Sequence, residues 1–176
     1  MSEVLVATHA FAASVAVGLG AVQLFRPTKG DRVHRAAGRV WVLLMLYVAV
    51  TSFWIRDLRP GQLSWLHVLS VVTLVTVTLG LTSAWRGRIE AHRRQMRGSW
   101  LGLVGAGIGA SAVPDRLLPQ LVVTRPLGAL AALLAVVAGT VLVLLLAQVL
   151  PEPRPVGRGR GAPRAGAGLG ARSSRA

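Results

Sequence analysis

The chain has 176 residues, of which 53% are hydrophobic and only 15% are charged. An ordinary soluble domain carries about 25% charged residues, so this composition excludes that class and favours a membrane protein. The absence of Cys excludes disulfides, Cys-ligated zinc, iron–sulfur clusters and thiol catalysis. The net charge of +14 is spread over short basic clusters between apolar runs, so we expect no nucleic acid as a partner.

Five apolar runs approach or exceed the roughly 20 residues that a membrane-spanning helix needs. No basic segment precedes the first run, so we expect a membrane span there and not a cleaved leader. The second and fourth runs are short, and we expect their helices to begin earlier, near Val33 and Ala91. The predicted spans cover residues 4–25, 40–55, 63–85, 99–113 and 127–150.

The basic residues alternate between the two sides of this layout. Counted from the N-terminus, the segments outside the spans carry 0, 5, 2, 5, 2 and 6 Lys or Arg residues. Cytoplasmic loops are enriched in these residues, so we expect the N-terminus outside and the C-terminus in the cytoplasm. That arrangement requires an odd number of crossings, which agrees with five spans.

Residues 151–176 are rich in Gly, Arg, Ala and Pro. Such a segment cannot bury enough apolar surface to offset the entropy of ordering it, so we expect a disordered cytoplasmic tail. Each Arg near an anionic membrane surface contributes about 1 kcal/mol of attraction, so lipid headgroups are the expected partner. A solvated tail that only sets the topology is the alternative.

The four histidines form two pairs with equal spacing. His9 and His34 are 25 residues apart, as are His67 and His92, and a shift of 58 residues relates the pairs. This pattern suggests a duplicated helical hairpin. We therefore expect an all-α, polytopic membrane protein with a four-helix core of two hairpins and a fifth, C-terminal transmembrane helix that faces lipid.

In this topology His9 and His67 form an outer pair near the outer surface, and His34 and His92 form an inner pair near the cytoplasmic surface. Facing imidazoles suit the ligation of haem b, and two haems would make an electron path across the bilayer. The haem propionates of the inner site would contact basic side chains. The candidates are Arg35, Arg39, Arg93 and Arg97. The alternative is that the histidines are solvated or form interhelical hydrogen bonds, worth about 0.6 kcal/mol on average.

Small residues on the fourth span predict close packing between helices, because small side chains let backbones approach. They form the pairs Gly98/Gly102 and Gly105/Gly109. Packing inside the chain is the favoured interpretation, and a homo-oligomer or another membrane protein is the alternative. Four tryptophans are expected in interfacial belts. They are Trp54, Trp65, Trp85 and Trp100.

No carboxylate lies within an apolar run, which disfavours a carboxylate-driven antiporter. No Ser-His-Asp constellation is visible, so we expect no catalytic residues of that hydrolytic kind. Three hypotheses remain open: a haem-binding transmembrane redox protein, a small transporter or permeation subunit, and a structural membrane partner without catalysis.

Four segments carry a family resemblance. They are HRAAGRVW at 34–41, HVLSVVTLVTVTLG at 67–80, RGRIEAHRRQM at 86–96 and PDRL at 114–117. Together they resemble a bacterial integral-membrane family, domain of unknown function 2306, over roughly Val4–Leu118. The resemblance implies a four-helix membrane core of unassigned biochemistry in a bacterial inner membrane. The fifth helix and the tail are expected to lie beyond it.

Overall fold

Helices account for nearly all of the chain that the structure describes. In the computed structural model these are residues 3–55, 65–111 and 124–149. The helices are α1 (Glu3–Phe25), α2 (Arg32–Thr51), α3 (Trp65–Trp85), α4 (Ile89–Ser111) and α5 (Pro126–Val149). A single 3-10 turn, Ser52–Trp54, follows α2 directly. The described residues contain no strand, and the all-α fold class is confirmed. The predicted loops around residues 56–64 and 112–123 and the predicted tail lie outside the described residues.

Both hairpin turns use a glycine with a left-handed backbone. Gly30 has φ 78° between α1 and α2, and Gly87 has φ 72° between α3 and α4. Glycine adopts this region without a steric penalty, so each turn can reverse the chain within a few residues. Asp31 then caps α2, because its carboxylate accepts a hydrogen bond from the backbone N–H of His34 at 3.0 Å. The helices therefore begin at Arg32 and Ile89, close to the early starts that the sequence predicts.

Four helices are long and apolar enough to cross a membrane: α1, α2 with its 3-10 turn, α3 from His67 onwards, and α5. Helix α4 is as long, but its first half carries Glu90 and three arginines before the apolar stretch begins at Gly98. The membrane-spanning character of four helices is thus supported by length and composition. The crossing by α4 stays a prediction.

The helices alternate in direction through the bundle. Helices α1 and α3 finish at one end of the bundle, and α2 and α4 begin there. We call this end the basic end. Arg32 Nη2 donates to the backbone carbonyl of Val149 at 2.8 Å, which places the end of α5 at the basic end too. The start of α1 and the end of α5 therefore lie at opposite ends of the bundle. This arrangement is the one that an odd number of crossings requires.

The apolar core lies mainly between α1 and α2. Each hairpin packs its two helices together, α2 also contacts α3, α1 contacts α4, and α5 lies across α1 and α2. The buried core cluster comprises Ala16, Leu19, Ala37, Trp41, Met45, Val77, Leu103 and Ala147. Ala147 is the only buried residue of α5, so this helix is peripheral and faces outward along most of its length, as predicted.

Helix α3 turns a polar face to the interior and an apolar face outward. Its buried polar residues are His67, Ser70 and Ser83, whereas Val68, Val71 and Val75 are exposed. Two hydroxyl pairs join it to its neighbours. Ser70 Oγ lies 2.6 Å from Ser52 Oγ, and Thr76 Oγ1 lies 2.8 Å from Ser99 Oγ. This inverted polarity is typical of a helix whose outer face meets lipid.

Candidate functional site

The outer histidine His9 is fixed by the end of α2. Its Nδ1 lies 2.8 Å from Thr51 Oγ1, and that hydroxyl also donates to the Tyr47 carbonyl at 2.7 Å. A hydroxyl has one proton, so the imidazole must be the donor in the first bond. The neutral ring of His9 therefore carries its proton on Nδ1 and keeps the lone pair of Nε2 for another contact.

The other outer histidine, His67, is buried near the start of α3. Its ring lies 5.8 Å from the ring of Phe53, centroid to centroid. His9 contacts Thr51 and His67 contacts Phe53, so the short segment 51–53 at the end of α2 contacts both histidines of the outer pair. The structure thus brings the outer pair to one end of the bundle and to one segment.

The inner pair lies at the other end of the bundle, the basic end. His34 lies in the first turns of α2 and His92 in the first turns of α4. Both residues therefore lie at the basic end of the bundle, although they are 58 positions apart in the sequence. Direct contact between the two imidazoles stays a prediction.

His92 is oriented by the backbone of α3. Its Nδ1 lies 2.9 Å from the Gly80 carbonyl oxygen, which only accepts hydrogen bonds. The proton must therefore lie on Nδ1, and Nε2 of the neutral ring is left as an acceptor. Met96 packs closely over Gly80 beside this contact, because a Cβ at Gly80 would lie 2.0 Å from the Met96 methyl group.

Three buried polar atoms at the basic end have no hydrogen-bond partner within the described part of the chain. They are Nδ1 of His34, Oε1 of Gln23 and Nε of Arg32. Gln23 contacts α2 through its Nε2, which donates to the His34 carbonyl at 2.8 Å. A buried polar atom without a partner costs roughly 1–3 kcal/mol, so a bound molecule at this site would relieve part of that cost. From the sequence, Gln23 is recognisable as one of the few polar residues within the apolar runs, but nothing in the sequence assigns it to the inner pair.

The four predicted propionate contacts are all exposed at the basic end. Arg35 and Arg93 directly follow the inner histidines in the sequence, and Arg39 and Arg97 lie more than one helical turn further on. Arg35 Nη1 donates to the Gly30 carbonyl, and Arg93 Nη1 lies 3.4 Å from a Glu90 carboxylate oxygen. The structure therefore leaves all four guanidinium groups accessible from outside the bundle.

Arg26 and Asp31 form a two-pronged ion pair at the same end, with N–O distances of 3.1 and 2.8 Å. The hydrogen bond from the His34 backbone, and then the Arg26 guanidinium, lower the pKa of Asp31 below its ordinary value. The cap therefore stabilises α2 above the ordinary aspartate pKa, and this contribution is lost as the pH falls through the lowered value. The ion pair holds the α1–α2 turn beside the inner pair.

Two tryptophan side chains, one on α2 and one on α4, donate hydrogen bonds to the backbone in the middle of α1. Trp41 Nε1 donates to the Ala16 carbonyl and Trp100 Nε1 donates to the Val17 carbonyl, both at 2.9 Å. Both indoles approach at Gly20, where a Cβ would lie 2.3 Å from Trp100 and 2.6 Å from Trp41. Trp100 also contacts the ring of Phe25 at the end of α1, with the ring centroids 6.1 Å apart, and its place in an interfacial belt stays a prediction.

The predicted packing of the α4 glycines is only partly found. Gly102 faces Leu69 of α3, but a Cβ at Gly98, Gly105 or Gly107 would meet no atom within 4 Å. The expectation that Gly98 and Gly105 pack inside the chain is therefore wrong, because this side of α4 faces away from the bundle. The Gly20 position on α1 is instead where two helices approach closely.

The carboxylates within the described ranges all lie at helix ends. Glu3 is in the first turn of α1, Asp31 caps α2, and Glu90 is in the first turn of α4. Within these ranges no three His, Cys, Asp or Glu side chains converge as a metal site would require. The histidines lie two at each end of the bundle.

The comparison with protein families matches residues 6–150 to a family described as predicted membrane protein (DUF2306). The match continues through α5, so the expectation that the resemblance ends near Leu118 is wrong and the fifth helix lies within the family's span. Searches of curated proteins and of solved structures found no match.

Proposed function

The chain belongs to the DUF2306 family of membrane proteins, and on that premise we propose that it is a haem-binding redox protein with His34 and His92 as its first ligand pair. The observations that carry this proposal are that both histidines lie in the first turns of helices that begin at the basic end, and that Nδ1 of His34 is buried without a hydrogen-bond partner in the described part of the chain. Imidazole nitrogens are the usual ligands of b-type haem iron, and two of them on separate helices suffice.

The orientation of the histidines supports the same function. Metal-ligating histidines usually donate one ring N–H to an oxygen, which fixes the ring and leaves the other nitrogen for the metal. His92 has this arrangement with the Gly80 carbonyl, and His9 has it with the Thr51 hydroxyl. In both residues Nε2 is the nitrogen that remains for iron.

We assign the second ligand pair to His9 and His67 at the opposite end. Both contact the segment 51–53, and His67 is buried. One haem at each end would supply one-electron chemistry in each leaflet. The protein's own part would be to hold the imidazoles, exclude water and set the distance between the two sites.

We assign the propionate contacts of the inner haem to Arg35 and Arg93, which lie beside the inner histidines. Arg39 and Arg97 lie five residues beyond the histidines, about 7.5 Å further along each helix and away from the basic end. Arg35 and Arg93 lie nearer the basic end, so these two residues would hold the propionates of a haem at the inner site.

Absorption spectroscopy tests the haem proposal directly. We expect protein that is purified in detergent from haem-replete cells to show a Soret band. His34→Ala and His92→Ala should remove the same part of that band, about half if two haems are bound. His9→Ala and His67→Ala should together remove the remaining part.

The two histidine pairs serve as controls for each other. Substituting one pair should remove the absorbance of its own haem and leave the absorbance of the other haem unchanged. Monodisperse elution of every variant during gel filtration shows that the bundle still folds. A colourless wild-type preparation would overturn the proposal, as would a band that survives all four substitutions.

We further propose that the basic end faces the cytoplasm of a bacterial cell and meets anionic lipid headgroups there. Ten basic residues and only two carboxylates lie at this end within the described residues, which supports the positive-inside orientation. A fluorescent reporter should be active after Val149, and a periplasmic phosphatase reporter should be active before Glu3. Activity of one reporter type at both positions would contradict this orientation.

A further inference from the structure

Helix α4 exposes a continuous face that is basic at its start and apolar beyond. Arg94, Arg97, Leu101, Gly105 and Ile108 follow one another every three or four residues, and all are exposed. Side chains at this spacing lie on one side of a helix. The two arginines therefore form the head of an apolar strip that no other described helix covers.

Along the bundle axis, the two exposed arginines lie some distance from the basic end, toward the middle of the bundle. Ser99 is hydrogen-bonded to Thr76, which is about 13 Å of helix rise from the end of α3 at Trp85. Arg97 precedes Ser99 by two residues, so it lies roughly 10 Å inside the basic end of α3. An exposed guanidinium at that depth is costly unless it reaches the headgroup region or an anion reaches it.

The described part of the chain supplies no counter-charge for either arginine. Its two ion pairs are Arg26–Asp31 and Arg93–Glu90. Glu90 is the acidic residue of this helix, and its side chain is 90% exposed in its contact with Arg93. Arg94 and Arg97 therefore carry positive charge on an outward-facing, apolar surface.

The surface beyond these arginines is unusually open. A Cβ at Gly98 or at Gly105 would meet nothing within 4 Å, so the backbone of α4 is accessible there. The equivalent strip on α2 is different, because Arg39 is followed by the exposed side chains of Leu43 and Tyr47. Among the described helices, α4 is the one in which exposed arginines are followed by exposed glycines, Gly98 and Gly105, beside the exposed side chains of Leu101 and Ile108.

From these observations we propose that α4 carries a binding site for one anionic phospholipid. Its phosphate contacts Arg94 and Arg97, and one acyl chain lies in the groove formed by Gly98 and Gly105. Guanidinium groups form strong, paired hydrogen bonds to phosphate oxygens, and the groove continues from them into the apolar region. The site rests on the proposed contact of the basic end with anionic headgroups, and it makes that contact specific to one helix.

Charge complementarity favours a lipid over a second copy of the chain. In a parallel dimer through this face, Arg94 and Arg97 of each copy would lie beside those of the other copy and repel them. A zwitterionic lipid carries a compensating positive charge and binds guanidinium less well. An anionic lipid matches both parts of the strip, because its phosphate complements the arginines and its acyl chain complements the apolar residues.

The test uses the full chain in detergent, with phosphatidylglycerol and phosphatidylcholine of the same acyl composition as probes. Native mass spectrometry counts the lipid molecules that remain bound. We expect one phosphatidylglycerol to be retained at least tenfold more strongly than phosphatidylcholine. Arg97→Gln should reduce this preference about tenfold. Gly105→Leu should reduce retention of phosphatidylglycerol severalfold without changing the charge.

Arg39→Gln is the matched control, since it removes the same charge at the corresponding depth of α2. It should leave the retained lipid unchanged. Equal losses in Arg39→Gln and Arg97→Gln would overturn the proposal, because they would indicate general attraction to a basic surface. If Gly105→Leu retains phosphatidylglycerol as strongly as the wild type, the acyl chain does not lie at Gly105 and this part of the proposal is wrong. If inorganic phosphate alone displaces the bound phosphatidylglycerol, the arginines form an anion site that does not bind an acyl chain. The haem absorbance of the same samples reports separately on the proposed redox function.

Discussion

The two hairpins share a histidine spacing but have different interiors. Among the described residues, α1 and α2 bury eight apolar side chains and one polar residue, Thr51. Helices α3 and α4 bury only Val77 and Leu103 as apolar side chains, together with the polar residues His67, Ser70, Ser83 and Ser99. The first hairpin therefore buries mainly apolar side chains, whereas the second buries mainly polar ones.

This difference matters because a membrane provides little hydrophobic force between helices. Lipid tails are as apolar as the side chains, so helices associate through van der Waals contacts and interhelical hydrogen bonds. In the first hairpin the tight contact at Gly20 is the central feature. In the second, single hydroxyl pairs such as Thr76 and Ser99 join the helices. Substitutions of the two kinds should thus have unequal effects.

The largest effect is expected at Gly20. Gly20→Val would place a side chain where a Cβ already lies 2.3 Å from Trp100 and 2.6 Å from Trp41. Both indoles would have to move and break their hydrogen bonds to α1, and we expect a loss of about 3 kcal/mol or more. Thermal unfolding in detergent, followed by gel filtration of the surviving folded protein, measures this loss.

Gly107→Val is the matched control, because a Cβ at Gly107 meets no atom within 4 Å. Its effect should stay within about 0.5 kcal/mol, as for other surface substitutions. If the two valine variants unfold at the same temperature, the tight contact at Gly20 does not hold the first hairpin together.

A smaller effect is expected in the second hairpin. Thr76→Val removes the hydroxyl that contacts Ser99 and keeps the shape of the side chain. Interhelical hydrogen bonds in membranes contribute about 0.6 kcal/mol on average, so we expect a loss of that order. Thr78→Val is the control, because the exposed Thr78 hydroxyl bonds only to the Leu74 carbonyl of its own helix.

The second hairpin allows a double-mutant test as well. Ser99→Ala should cost about as much as Thr76→Val, and the double variant should cost no more than either alone. Losses that simply add would show that the two hydroxyls act separately, and the proposed difference between the hairpins would then be weaker.

The helical architecture was predictable because it depends on local composition. Apolar runs and the distribution of arginines indicate the helices and their alternating direction, and the Arg32–Val149 contact agrees with that direction. The starts of α2 and α4 were also predictable, since an amphipathic turn precedes each apolar run. Local composition carries this information without reference to the rest of the fold.

Contacts between distant segments were harder to predict. The histidine spacing indicated which residues share an end of the bundle, and the structure places His34 and His92 at the basic end. The sequence did not indicate that the Trp100 side chain packs against α1. That contact depends on the space above Gly20, which exists only where the two helices approach each other. The outward glycines of α4 were misassigned for the same reason. A small residue permits close packing, but a neighbouring helix must be present for it to occur.

The place of α5 has a consequence for synthesis. Its contacts are with α1 and α2, and Arg32 reaches the carbonyl of Val149 across a sequence separation of 117 residues. While the ribosome is still translating the second hairpin, the surface of the first that α5 will cover is open to lipid and to the insertion machinery. Because chains fold from the N-terminus as they emerge, the bundle is completed only when its last helix enters the bilayer.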